Sequence, residues 1–213
     1  MNLIFTMLHA PKLAFEQLRE RGGGFALPFI LGIIITLAGM LMQFPVLERE
    51  LLQNEQIANT PGVDEATMLA ITKWVTVGGA AFAMAVSIFI SGLLLLIVNL
   101  IIRGEATYWQ LVKVAVYSGI PGWLSLLVSG LLAMTTSANS VLDLTISAAV
   151  LLERKEGLLY GIMSLLNPFS LWSLALMVVG TAVMSRRASS SVAAWIVGGW
   201  IVISLGSILL FQL

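Results

Sequence analysis

Cysteine is absent from the 213 residues, which excludes disulfides, thiolate nucleophiles and cysteine metal sites. Charge is nearly as scarce. Asp, Glu, Lys and Arg make up 10% of the chain, against about 25% in ordinary soluble domains. The formal net charge is zero, so there is no basic footprint for a nucleic-acid partner. His9 is the one histidine, and no HExxH, GxSxG or P-loop signature occurs. The first ten residues lack a basic start and a small-residue cleavage site, so no secretory signal is expected. What the chain has in abundance is apolar residues, 59% of the total. Its few polar groups could not cover such a surface in water, which predicts an integral membrane protein.

A spanning helix needs about 20 mostly apolar residues. Five runs meet that need: 25–46, 74–102, 108–134, 168–184 and 191–213. None contains Asp or Glu, the groups on which coupled transport usually depends. The expected fold is all-α, a polytopic bundle of five transmembrane helices preceded by an N-terminal interfacial amphipathic helix. Residues 1–23 form that helix and 24–213 the five-span domain. Lys12, Arg19, Arg21, Arg103, Lys113, Arg186 and Arg187 fall on one side, and Arg49, Lys73, Arg154 and Lys155 on the other. The positive-inside bias then predicts a cytoplasmic N-terminus and an extracytoplasmic C-terminus.

Two regions are too short or too polar to span. Leu3, Ile4, Met7, Leu8, Ala14, Phe15 and Leu18 share one helical face, with Lys12, Glu16, Arg19 and Glu20 opposite. That pattern predicts a helix lying in the headgroup plane, divided at Ala10-Pro11. It reads as a cytoplasmic cuff that orients the first span, or as a lipid sensor. Between the third and fourth spans, 141–152 and 158–166 read as two short helices at the outer leaflet, separated by Glu153-Arg154-Lys155-Glu156. Asn167-Pro168 then turns into the fourth span; the alternative is one helix over 158–184, kinked at Pro168.

Residues 108–122, YWQLVKVAVYSGIPG, combine a membrane run with a charge and a proline. Twenty-seven residues rise about 40 Å against about 30 Å of hydrocarbon, so the first turns reach the interface. Tyr108 and Trp109 mark that level. Lys113 is one turn inside and can snorkel outward, with Glu105 as its counter-charge. A charge within a span is otherwise a functional hypothesis, so a ligand-contacting lysine is the competing reading. Ser118, Gly119, Pro121 and Gly122 predict a mid-span hinge. Tyr117, Asn99 and Asn167 are the remaining polar candidates, Gln43 apart. Gly78, Gly79 and Ala83 in the second span, and Gly198 and Gly199 in the fifth, supply small surfaces for close helix approach. They serve packing inside one bundle or a homo-oligomer face.

Three stretches carry a resemblance. They are Pro11-Lys12-x-x-Phe15-x-x-Leu18, then Trp109-Gln110-Leu111 through Tyr117-Ser118-x-x-Pro121, and Asn167-Pro168-Phe169-Ser170-Leu171-Trp172. In these the chain resembles the Yip (Ypt/Rab-interacting protein) membrane proteins, in their bacterial branch. The resemblance covers nearly the whole chain and implies five spans, a cytoplasmic N-terminus and a place in a bacterial inner membrane. Eukaryotic members organise vesicle traffic and contact Rab GTPases. Their Asp-Leu-Tyr-Gly-Pro stretch and long cytosolic N-terminal region have no counterpart here, so a GTPase partner is not expected. The expected role is non-enzymatic and cofactor-free: an organiser of membrane or partner membrane proteins, in contact with lipids. The alternative is a small-solute permease or channel, with its site at the interrupted third and fourth spans.

Overall fold

The computed structural model describes residues 3–53 and 64–211. Two short helices come first, α1 (Leu3–His9) and α2 (Pro11–Arg21). Pro11 begins α2 because proline fits a first helical turn, and Ala10 before it leaves helical geometry. Gly22, at φ 65°, ends α2 in the left-handed conformation that glycine adopts at least cost. Then follow α3 (Ala26–Gln53), α4 (Glu65–Ile101), α5 (Tyr108–Ser118), α6 (Ile120–Thr135), α7 (Gly157–Leu165), α8 (Pro168–Ser185) and α9 (Ser189–Phe211). The described residues hold five segments long and apolar enough to cross a membrane: α3, α4, α5 with α6, α8 and α9. The fold is all-α and five-span.

Several boundaries move outward. α3 continues past residue 46 to Gln53, and α4 begins at Glu65 rather than 74. A helix does not stop where hydrocarbon stops; its polar turns go on in water until a cap ends them. Asp64 is such a cap, its carboxylate accepting the Thr67 N–H at 3.0 Å. The third span does break where the hinge was expected, at Gly119 between α5 and α6. In 138–167 the second short helix forms, but 141–152 does not. It becomes two 3₁₀ turns, Val141–Leu144 and Ala148–Leu151, started by Ser140 and Ser147, whose hydroxyls accept nearby N–H groups. Asn167 starts α8 afresh, its side-chain oxygen accepting from Phe169 N and Ser170 N. No continuous helix runs over 158–184.

The third span is the axis of the bundle. Its most apolar stretch is 56% buried, against 11% for the fifth span, which is the least packed of the five. The α5 residues Leu111, Val112, Val114 and Val116 are fully enclosed. Against α6 lies a small-residue stripe of α3: Gly32, Thr36 and Gly39, continued by Gln43. A side chain at Gly32 would overlap Met84 and the Trp123 ring, and one at Gly39 would meet Leu126 Cγ at 2.8 Å. Such close approach supplies the dispersion that drives helix association in lipid. Gln43, buried beside it, donates to the Leu126 carbonyl of α6 at 3.4 Å.

The N-terminal stripe is committed to protein instead of lipid. Met7, Ala14, Phe15 and Leu18 are all at most 2% exposed, because α2 docks against the end of α8. The Phe15 ring occupies the place of a side chain at Gly180, where an added Cβ would meet Phe15 Cζ at 2.6 Å and Val114 Cγ1 at 2.8 Å. An amphipathic pattern specifies an apolar neighbour, and here that neighbour is the bundle.

Candidate functional site

One cluster of polar contacts, with the ion pairs Arg154–Glu156 and Lys155–Asp143, lies at one end of the bundle; a second lies at the opposite end, which carries α1 and α2. There the α4–α5 link meets the α8–α9 link. Asn99, buried on the last turns of α4, closes a two-bond ring with Ala106: its amide donates to Ala106 O at 3.1 Å, and its oxygen accepts from Ala106 N at 3.2 Å. Gly104 follows from that pairing, since a side chain there would overlap Asn99 Oδ1. Arg103 and Arg186 both take left-handed backbone geometry, at φ 53° and 52°. They sit one in each link, turning each helix end sharply.

Across the two links, Glu105 N donates to Ser185 O at 3.2 Å. The Arg187 guanidinium donates to Arg103 O through Nε, at 3.1 Å, and through Nη2. Arg186 and Glu105 form an ion pair at 3.2 Å, with both side chains well exposed. In water that pair contributes at most about 1 kcal/mol. The backbone bonds set the geometry, and together these contacts form a clasp.

Beside the clasp is a cleft of about 350 Å³ between α2, the end of α8 and the start of α9. Lys12, Arg19, Arg186 and Arg187 line it, with Glu16 the one carboxylate and Val179, Ala182 and Val183 its apolar floor. Arg19 is held in place by donating to Val183 O at 2.7 Å. A second opening, a lateral groove of about 520 Å³, runs between α4, α8 and α9. Its walls are apolar apart from Ser91, Ser170 and Ser173.

The structure does not bring the predicted site residues together. Asn99 serves the clasp, Asn167 caps α8, and the Tyr117 hydroxyl donates to Gly24 O at 3.2 Å. Glu105 is engaged by Arg186, not by Lys113, because the clasp draws it towards the α8–α9 link. Lys113 is half-buried on α5. Trp109 stacks on Phe25 at 6.1 Å, and Tyr108 donates to Phe89 O at 3.3 Å. Pro121 sits in the first turn of α6, directly after the break, and is buried. Ser118 is fully buried, with no hydrogen-bond partner for its hydroxyl among the described residues. Pro168 opens α8, and Trp172 packs on the edge of the core.

Gly78, Gly79, Gly198 and Gly199 have nothing within 4 Å of where a side chain would begin, and Ala83 is exposed. Packing inside the bundle is therefore not their role. Gly32, Gly39, Gly92, Gly130 and Gly180 take the close contacts instead. The first of these were signalled by Gly32, Thr36 and Gly39 at i, i+4 and i+7, one helical face. In the sequence Arg186 and Arg187 served only as side markers, and Lys12 and Arg19 also as the polar face of the N-terminal helix; nothing there brought the four together.

The "Membrane protein YknW" of Bacillus subtilis (strain 168) is 26% identical over 215 residues, covering 99% of this chain and 88% of that protein. No solved structure matches. The Yip1 domain matches residues 5–211. That span takes in the docked N-terminal helices, the clasp and all five membrane segments, and the chain belongs to the Yip1 domain family.

Proposed function

We propose that this protein is a non-enzymatic organiser of membrane or partner membrane proteins in a bacterial inner membrane, with its N-terminal end in the cytoplasm. One observation carries the reading: the amides and phenol of the spans are engaged by the protein itself. Asn99 bonds Ala106, Tyr117 bonds Gly24, Gln43 bonds Leu126 and Asn167 caps its own helix. None is held towards a common mid-membrane point, which a solute site requires. A cleft lined by four basic side chains, open to other molecules, lies at the cuffed end beside α2 and the clasp. The excess of basic residues at that end supports its cytoplasmic placement. Ala83 and the open glycines of α4 and α9 offer close-approach surface to another membrane helix or a second copy.

Photo-crosslinking in intact cells tests this reading. A photoreactive residue replaces Leu13, which is 45% exposed on α2, or Ile203, which is 64% exposed on α9. Position 13 is expected to give discrete protein adducts and position 203 chiefly lipid. Proteoliposomes of the same protein are expected to leak small solutes no faster than empty vesicles. Solute flux above that background, or no protein adduct at position 13, overturns the assignment.

A further inference from the structure

The cleft between α2 and the α8–α9 link has more positive charge than its own contacts neutralise. Four cations line it. Counting both Glu16 within it and Glu105 on Arg186 still leaves two positive charges. Two of these cations are placed by backbone contacts. Arg19 is fixed by one nitrogen to Val183 O and Arg187 by its bonds to Arg103 O. A guanidinium has five N–H donors in a fixed fork, so each keeps free donors after its backbone contact. Lys12 is exposed and has no ion pair with any described residue.

A second feature points to the same ligand chemistry. α9 begins at Ser189 on the wall of the cleft, and the residue before it, Ala188, has no side-chain acceptor. The first N–H groups of a helix lack intrahelical partners and favour an anion. The cleft thus combines a helix start, two tethered guanidiniums, a third guanidinium and a free ammonium. Its floor is different in kind. Val179, Ala182 and Val183 descend along α8 into the spanning region. A soluble anion has no use for that surface, whereas a glycerol backbone and the top of an acyl chain do.

We infer that this cleft binds the phosphate of an anionic phospholipid, at the surface where α8 ends and α9 begins. The headgroup phosphate sits among Lys12, Arg19, Arg186 and Arg187, facing the first turn of α9. The acyl chains leave along Val179 and Val183. Because α2 supplies Lys12 and Arg19 while the α8–α9 link supplies Arg186 and Arg187, a bound lipid bridges the cuff to the bundle. It stabilises the docked position of α2 by mass action.

The test uses the purified full-length protein in a neutral detergent, with melting temperature followed during titration. Dioleoylphosphatidylglycerol is expected to raise the melting temperature saturably. Dioleoylphosphatidylcholine and inorganic phosphate are expected to leave it unchanged. Removing two cations, in Lys12→Gln with Arg186→Gln, should weaken the phosphatidylglycerol response about tenfold or more. Two controls guard against misfolding. The charge-keeping pair Lys12→Arg with Arg186→Lys should respond like the unaltered protein, as should Arg154→Gln at the opposite end. All variants are first matched for helical content without lipid. Equal stabilisation by phosphatidylcholine, or an unweakened response of the Gln pair, overturns the site. A response to inorganic phosphate matching that to phosphatidylglycerol overturns its assignment to a lipid.

Discussion

At the scale of single residues, contacts predicted from chemistry divide into those made locally and those made by distant partners. Asn99 shows the difference. Its amide side chain in a span suggested a solute site, but both its ends are taken by Ala106 in the next link. Asn99→Ala leaves a buried N–H and C=O unpaired, which costs about 1–3 kcal/mol. The expected readout is a lowered melting temperature, with faster amide exchange across the α4–α5 link. Gly104→Ala should have the same signature, since its methyl would overlap Asn99 Oδ1. Lys113 gives the opposite prediction. With Glu105 held elsewhere, Lys113→Leu removes no ion pair and should insert and melt nearly as the unaltered protein does. A variant that folds but loses crosslinked partners would instead make this lysine a ligand contact.

At the scale of elements, α2 and α8 act as a unit through Phe15 and Gly180. Phe15→Ala should cost about 3–5 kcal/mol by cavity formation. Gly180→Leu should cost about 1–3 kcal/mol by overpacking. Combined, they should cost less than their sum, because the new leucine enters the space the ring has left. Chemical denaturation of the four proteins measures this coupling, and additivity would deny the contact. The start of α4 responds to pH. The nearby Thr67 hydroxyl and the Thr67 backbone N–H, which donates to Asp64 at 3.0 Å, hold the Asp64 carboxyl below its ordinary value. A depressed folded pKa stabilises above the unfolded pKa, and that stability fades as pH falls through the folded value. Protection of the Thr67 N–H, measured relative to intrinsic exchange, should therefore fall only in acid, below about pH 4, and should be low at all pH values in Asp64→Ala. The spans were legible because composition alone decides burial in lipid. The 3₁₀ turns of 141–151 were not, since a short apolar run looks the same in either helix type. Nor does an amphipathic stripe distinguish lipid from the flank of α8.

At the scale of the whole molecule, the order of the five spans fixes which links share an end, and sidedness follows if one terminus is placed. Reporter fusions after Ser189 and after Leu213 should report opposite compartments, cytoplasmic and extracytoplasmic respectively. The same compartment at both would break the five-span path. The clasp was the least legible part of the candidate site, because Arg103 and Arg187 are separated by 84 positions and no local pattern announces their meeting. Only the topology brings them together.

That meeting has a mechanical corollary. The clasp is a lintel: it sets how far apart α4 and α8 stand at their common end, through bonds to main-chain atoms at Arg103 O and Ser185 O. The apolar groove that these two helices share with α9 reaches towards it along the α4 wall, at Ile97, Val98 and Ile101. Side chains on the groove walls can swing, but the doorway's width at the top belongs to the two links. The groove is therefore framed at that end by bonds to main-chain atoms, not by side-chain packing.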